Sequence, residues 1–169
     1  MIPNTSRTRR LLPIGAVAAA LLVVLAGVAA AVPAGTVLVV EDTDTGERYI
    51  THPVESGSVV GLEYTHSVEK SRVYDEYRVD GRTLVHTRME FESYGWGLPA
   101  GADVTIVDGV FVYAPSEPIA ELETLSVSPG RIANHTLIVD DTRYDLVART
   151  DARDVRISTE RRTLADIFL

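Results

Sequence analysis

The chain contains no cysteine. That excludes disulfide staples, a thiolate nucleophile and a lipid-modified N-terminal cysteine. Lysine is nearly absent as well: Lys70 stands alone beside 15 arginines, against 12 Asp and 12 Glu. The formal net charge is −8, and a surface of this sign excludes nucleic acid as a partner and disfavours anionic lipid heads. Self-repulsion of this kind costs little in concentrated salt, where the Debye length shrinks to about 3 Å at 1 M. The composition therefore reads as adaptation to high salt, the alternative being an acidic surface suited to one cationic partner. There is no G-x-S-x-G elbow and no glycine-rich phosphate loop. The four histidines, at positions 52, 66, 86 and 135, show no short ligand spacing. No metal and no cofactor is expected. Asp42-Thr43-Asp44-Thr45-Gly46 opens like a calcium loop but lacks the later Glu, so it reads as a turn.

What the chain does have is one long apolar run. Leu11 to Val32 is 22 residues without a charge, placed directly behind Arg7, Arg9 and Arg10. As a helix it is about 33 Å long, enough for a hydrocarbon core of about 30 Å. The arginines favour a cytoplasmic N-terminus (residues 1–10), a transmembrane anchor over 11–32 and an extracytoplasmic domain over 34–169. The small residues of Ala29–Ala34 also suit a signal peptidase, so a cleaved signal peptide is the alternative, although the run exceeds the usual apolar length of one. Thr8-Arg9-Arg10-Leu11-Leu12 matches a twin-arginine pattern loosely, with Pro13 out of place.

Behind the run, the pattern predicts strands almost throughout: Thr36–Val40, Glu47–His52, Val59–Val68, Val73–Val79, Thr83–Glu92, Val104–Val107, Val110–Tyr113, Ala120–Val127, Thr136–Val139, Tyr144–Arg149 and Val155–Thr159. Asp80-Gly81, Asp108-Gly109 and Asp140-Asp141-Thr142 mark hairpins. This spacing predicts an all-β domain, an antiparallel sandwich or barrel. The tail from Thr159 to Leu169 has helical spacing at Leu164, Ile167 and Phe168, with Thr159 as its cap.

Alternation places Leu62, Tyr64, His66 and Val68 on one face and Val73, Asp75, Tyr77 and Val79 on another. Each set is apolar but for its ionisable member, His66 or Asp75, and the simplest partner for each is the other. The functional reading is an ion or carboxylate site formed by His66, Ser67, Glu69 and Asp75; the structural reading is a pair that closes a core. His66 and Ser67 point to opposite strand faces, which is wrong for an activated serine, so no catalytic residue is assigned. Gly95 and Gly97 bracket the single tryptophan, Trp96, ahead of Pro99, in a loop suited to partner contact or to folding over a core edge. Asn134-His135-Thr136 is an N-glycosylation sequon on the outer side, with Asn134 the acceptor; Asn4-Thr5-Ser6 falls on the cytoplasmic side.

Tyr64-Thr65-His66-Ser67-Val68, Val73-Tyr74-Asp75-Glu76-Tyr77 and Gly95-Trp96-Gly97-Leu98-Pro99, with Asn134-His135-Thr136-Leu137 later, resemble the motifs of the family known as domain of unknown function 1850. The resemblance covers about residues 58–150, with Asp75 where Glu is expected and Trp96 where a small residue is expected. It implies a small exported or anchored protein encoded beside the membrane subunits of tripartite ATP-independent periplasmic (TRAP) transporters of the TAXI subclass. The partner so implied is the TRAP permease or its solute-binding protein, and no catalytic residues are carried over. Three functions follow: a non-catalytic, membrane-anchored transporter accessory; a small-ligand or ion-binding module; or an exported hydrolase.

Overall fold

The computed structural model describes residues 14–93 and 103–168. They form α1 (Ile14–Ala31), β1 (Pro33–Asp42), β2 (Arg48–Val54), β3 (Val59–Thr65), β4 (Arg72–Asp80), β5 (Thr83–Phe91), β6 (Thr105–Val107), β7 (Val110–Tyr113), β8 (Ala120–Leu122), β9 (Thr124–Val127), β10 (Thr136–Val139), β11 (Thr142–Asp145), α2 (Leu146–Thr150), β12 (Val155–Thr163) and α3 (Ala165–Phe168). The chain divides into two compact units, Gly35–Arg161 and a second that holds α1 and α3.

In Gly35–Arg161, two sheets face each other, as expected for an all-β sandwich. One has the order β2-β1-β12-β9, the other β11-β10-β3-β4-β5-β7-β6, with β8 also paired to β5. Leu38, Val40 and Ile157 from the first sheet and Val60, Leu62, Val79, Leu84, Leu137 and Val139 from the second share one core, all at most 6% exposed. The alternation is plain in β4, where Val73, Asp75, Tyr77 and Val79 point inward and the residues between them outward. The hairpin turns use the backbone their residues permit: Gly81 has φ +60°, and Asp108 and Gly109 have φ +51° and +84°, as a tight two-residue turn requires. The Asp42–Gly46 segment is a turn, as read. Asp42 Oδ1 accepts from the backbone N–H of Asp44 (2.9 Å) and Thr45 (2.8 Å), and Oδ2 accepts from the Tyr49 hydroxyl (2.9 Å).

Four expectations are corrected. Val59–Val68 is too long: β3 stops at Thr65, and His66 enters a turn in which the backbone N–H of Lys70 bonds its carbonyl (3.0 Å). Ala120–Val127 is two strands, because the chain changes sheets at Glu123, β8 pairing with β5 and β9 with β12. Tyr144–Arg149 is not one strand: Asp145 ends β11 and caps α2, accepting from Ala148 N–H at 2.9 Å. Thr159 caps no helix; it lies buried inside β12, whose inward positions Val155, Ile157 and Thr159 keep a period of two, and its Oγ1 donates to Gly81 O (3.3 Å).

In the other unit, α1 and α3 are in contact and Leu164 N–H bonds the Val32 carbonyl (3.0 Å). α1 is 18 residues, about 27 Å. Among the described residues no helix is long and apolar enough to cross a membrane.

Candidate functional site

The polar centre of the sandwich arises from strand register. Leu62 pairs with Asp75, which makes Tyr64 the diagonal neighbour of Asp75 on the inner face. On the other side of β4, Glu76 pairs with Arg88 but Tyr77 pairs with His86, so Thr87 is an extra residue on β5. This β-bulge changes the parity of the strand. Leu84 and His86 face inward before it, Phe91 after it, while Arg88 and Glu90 are carried to the outer face. Thr87 Oγ1 donates to the Glu76 carbonyl across the bulge (3.3 Å). The outer partner of β5 changes at the same point, from β8 along Leu84–His86 to β7 along Met89–Phe91.

The result is a buried acid–base group. His86 Nε2 lies 3.3 Å from Asp75 Oδ1, with both side chains under 10% exposed. The two atoms do not meet in hydrogen-bond geometry, and neither has a hydrogen-bond partner among the described residues. The ring of Tyr77 stacks on His86 at 4.6 Å. Burial, and then the charge of Asp75 and a hydrogen bond to it, push the Tyr64 hydroxyl far above the usual phenol range. Burial and then Asp75 do the same to Tyr77. Tyr64 stacks in turn on His135 (5.1 Å, 18° between ring planes). His135 Nδ1 accepts from Gly130 N–H (3.2 Å), which suits a neutral ring, and burial lowers its pKa from 6.5.

Asp75 therefore faces a histidine, but it is His86 and not His66. His66 sits beyond the end of β3, where its Nδ1 accepts from Glu69 N–H (3.2 Å). Ser67 and Glu69 are exposed on that turn, whereas Asp75 is 6% exposed in the core, so the four do not share one environment. Asn134 is exposed, in a turn ahead of β10. Gly95, Trp96, Gly97 and Pro99 lie outside the described residues. Sequence reasoning missed His86 and His135. The alternation Leu84-x-His86 carried the first signal, and the shift of apolar positions from even to odd numbers between His86 and Met89 carried the bulge.

This arrangement offers a carboxylate, two imidazoles and two phenols in an apolar interior, which can hold or pass a proton or receive one small polar ligand. Among the described residues no group of three or more His, Asp or Glu side chains is placed to hold a metal ion. Over the outer face of the same sheet runs a chain of ion pairs. Arg72 bridges Glu63 (2.8 Å) and Glu90 (3.1 Å), Arg88 joins Glu90 (2.8 Å), and Arg143 joins Glu63. Burial raises the pKa of Glu63, but Arg72 and Arg143 outweigh it and hold the carboxyl below its ordinary value.

No curated protein and no solved structure matches the chain. A family model does match, over residues 60–146, which span the whole polar centre from β3 to the first residue of α2. That span is just over half of the chain. The chain belongs to the family described as domain of unknown function (DUF1850).

Proposed function

We propose that this protein is a membrane-anchored, extracytoplasmic accessory protein of a TRAP-type solute transporter of the TAXI subclass, and that it binds its partner without catalysing a reaction. The observation that carries the anchor is the surface of α1. Val17, Leu21, Leu22, Val23, Val24 and Val28 are 53–72% exposed on a helix with no charge. A helix apolar all round needs a core or a bilayer around it, because each Å² of apolar surface left in water forgoes about 25 cal/mol. Residues 11–13 and Val32 lengthen the uncharged run to 22, and the arginines before it favour a cytoplasmic N-terminus. The sandwich then lies outside the cytoplasm. Family membership supports the transporter, since the family is implied to be encoded beside TAXI permease subunits. Organic-acid uptake by cells with the permease intact tests the reading. Removing this chain should lower uptake and restoring it should recover it; undiminished uptake for every organic acid tried would contradict it.

A second reading is favoured by one observation, the two buried atoms of Asp75 and His86 that have no hydrogen-bond partner among the described residues. Such atoms suit a small polar ligand or ion inside the sandwich. A ligand at one hundred times its Kd stabilises a domain by about 2.7 kcal/mol. Thermal unfolding with small carboxylates and divalent ions should show that shift in the native chain and lose it in Asp75→Asn. No shift with any of them would remove this reading.

A further inference from the structure

We propose that Asn134 carries an N-linked glycan; the proposal rests on the extracytoplasmic placement of the sandwich. The chain has two asparagines, and each opens an Asn-x-Ser/Thr tripeptide. Asn4 lies on the arginine-bearing side of the apolar run, which that placement keeps in the cytoplasm. Asn134 lies in the turn between Gly130 and β10 and is exposed. Its φ of +51° is a conformation that asparagine tolerates better than most residues, and its N–H closes the turn on the Gly130 carbonyl (2.8 Å). Its carboxamide makes no hydrogen bond among the described residues, so Nδ2 can be substituted without disturbing the fold. The next residue, His135, is held inward against Tyr64.

The surroundings also suit a covering group. Thr65 N–H bonds the Ala133 carbonyl (2.7 Å), tying the end of β3 to this turn. Val68, in the turn that follows β3, and Ile132, in the Asn134 turn, are 67% and 74% exposed. Ile132, two residues from Asn134, is an aliphatic side chain that an attached sugar can shield from water.

The transfer joins Nδ2 of Asn134 to the anomeric carbon of a glycan carried on a polyprenyl phosphate. The bond from that carbon to the carrier's phosphate oxygen breaks, the phosphate leaves with the electron pair, and one Nδ2 proton passes to a base of the transferase. The sequon also needs the hydroxyl of Thr136. Thr136 is the first residue of β10, paired with Glu63 on one side and Asp145 on the other. Its hydroxyl is therefore most accessible before β10 docks, which places the transfer on the emerging chain.

Mass spectrometry of the protein isolated from its own membranes tests this. Cleavage after arginine releases residues 132–143 as one peptide. A glycan mass is expected on Asn134, lost in Asn134→Gln and Thr136→Ala and kept in Thr136→Ser; the readout is the peptide's mass and does not depend on the fold. A second variant, Glu117→Cys in the otherwise cysteine-free chain, reports the compartment through a membrane-impermeant maleimide applied to intact cells. Labelling together with an unmodified Asn134 overturns the glycan and leaves the placement standing. Absence of labelling overturns both.

Discussion

At the scale of single residues, buried polar groups separate most sharply from exposed ones. His86 and Asp75 are 7% and 6% exposed, whereas His66 is half-buried in a turn. Removing one member of a buried charged pair costs about 3–5 kcal/mol, and Asp75 would then keep the Tyr64 hydroxyl as its partner. His86→Ala should therefore lower the free energy of unfolding by up to that amount in denaturant titration, and by clearly more than His66→Ala; equal losses would mean that Asp75 does not depend on His86. Asp42 makes a pH prediction. The Thr45 backbone N–H, working against burial and joined by the Tyr49 hydroxyl, lowers its carboxyl from 3.8 to about 2. Its contribution to stability is thus full above about pH 4 and lost as the pH falls through about 2. Asp42→Asn should be less stable at pH 7 and should show a shallower acid limb in thermal unfolding between pH 4 and pH 2. His135 has the same sign at higher pH. Its folded value lies below 6.5, so stability falls as the pH drops below about 6.5, and His135→Gln should flatten that limb.

At the scale of elements, hairpin strands followed from local chemistry, whereas three strand bounds and the site did not. β7 and β10 are those predicted, because turn residues with positive φ, Asp108, Gly109 and Asp140, close hairpins on β-branched runs. The inward face of β4 was legible from a period of two. What alternation could not supply was the partner of Asp75, since that depends on which strand lies beside β4 and on an extra residue in β5. Asp75 stood out as the ionisable member of its face; Tyr64 read only as an apolar position of its own, and His86, a diagonal neighbour across a bulge, did not stand out at all. Deleting Thr87 tests the role of the bulge. It would leave His86 opposite Tyr77 and Arg88 opposite Glu76 in regular alternation, with Arg88 and Glu90 still outward and Phe91 still inward, so the variant should keep cooperative unfolding; lost cooperativity would mean that the bulge itself is needed. A glycine in β3 makes a smaller point. A Cβ on Gly61 would lie 2.4 Å from Tyr74 Cε2, on the face where Arg72 sits over the Tyr74 ring at 5.3 Å. Gly61→Val should cost about 1–3 kcal/mol by overpacking, measured by denaturant titration.

At the scale of the whole molecule, charge and the apolar helix describe its environment. The 24 acidic residues exceed the 16 basic ones, and arginines are drawn into chains such as Arg88–Glu90–Arg72–Glu63–Arg143. Unpaired acids repel one another, and salt screens that repulsion. The midpoint of thermal unfolding should rise by several degrees between 0.1 M and 2 M KCl; a falling midpoint would mean that the ion pairs outweigh the repulsion. The N-terminal arginines, the uncharged run and the exposed aliphatic surface of α1 together support the proposed tether, and its proposed neighbour is a transporter. The most direct test is co-purification. The chain, tagged at its C-terminus, is extracted from its own membranes in mild detergent and molar salt, and the eluate is identified by mass spectrometry. A TRAP permease subunit or its solute-binding protein is expected in the eluate, in amounts comparable to the tagged chain. Recovery of the tagged chain alone would contradict the proposal.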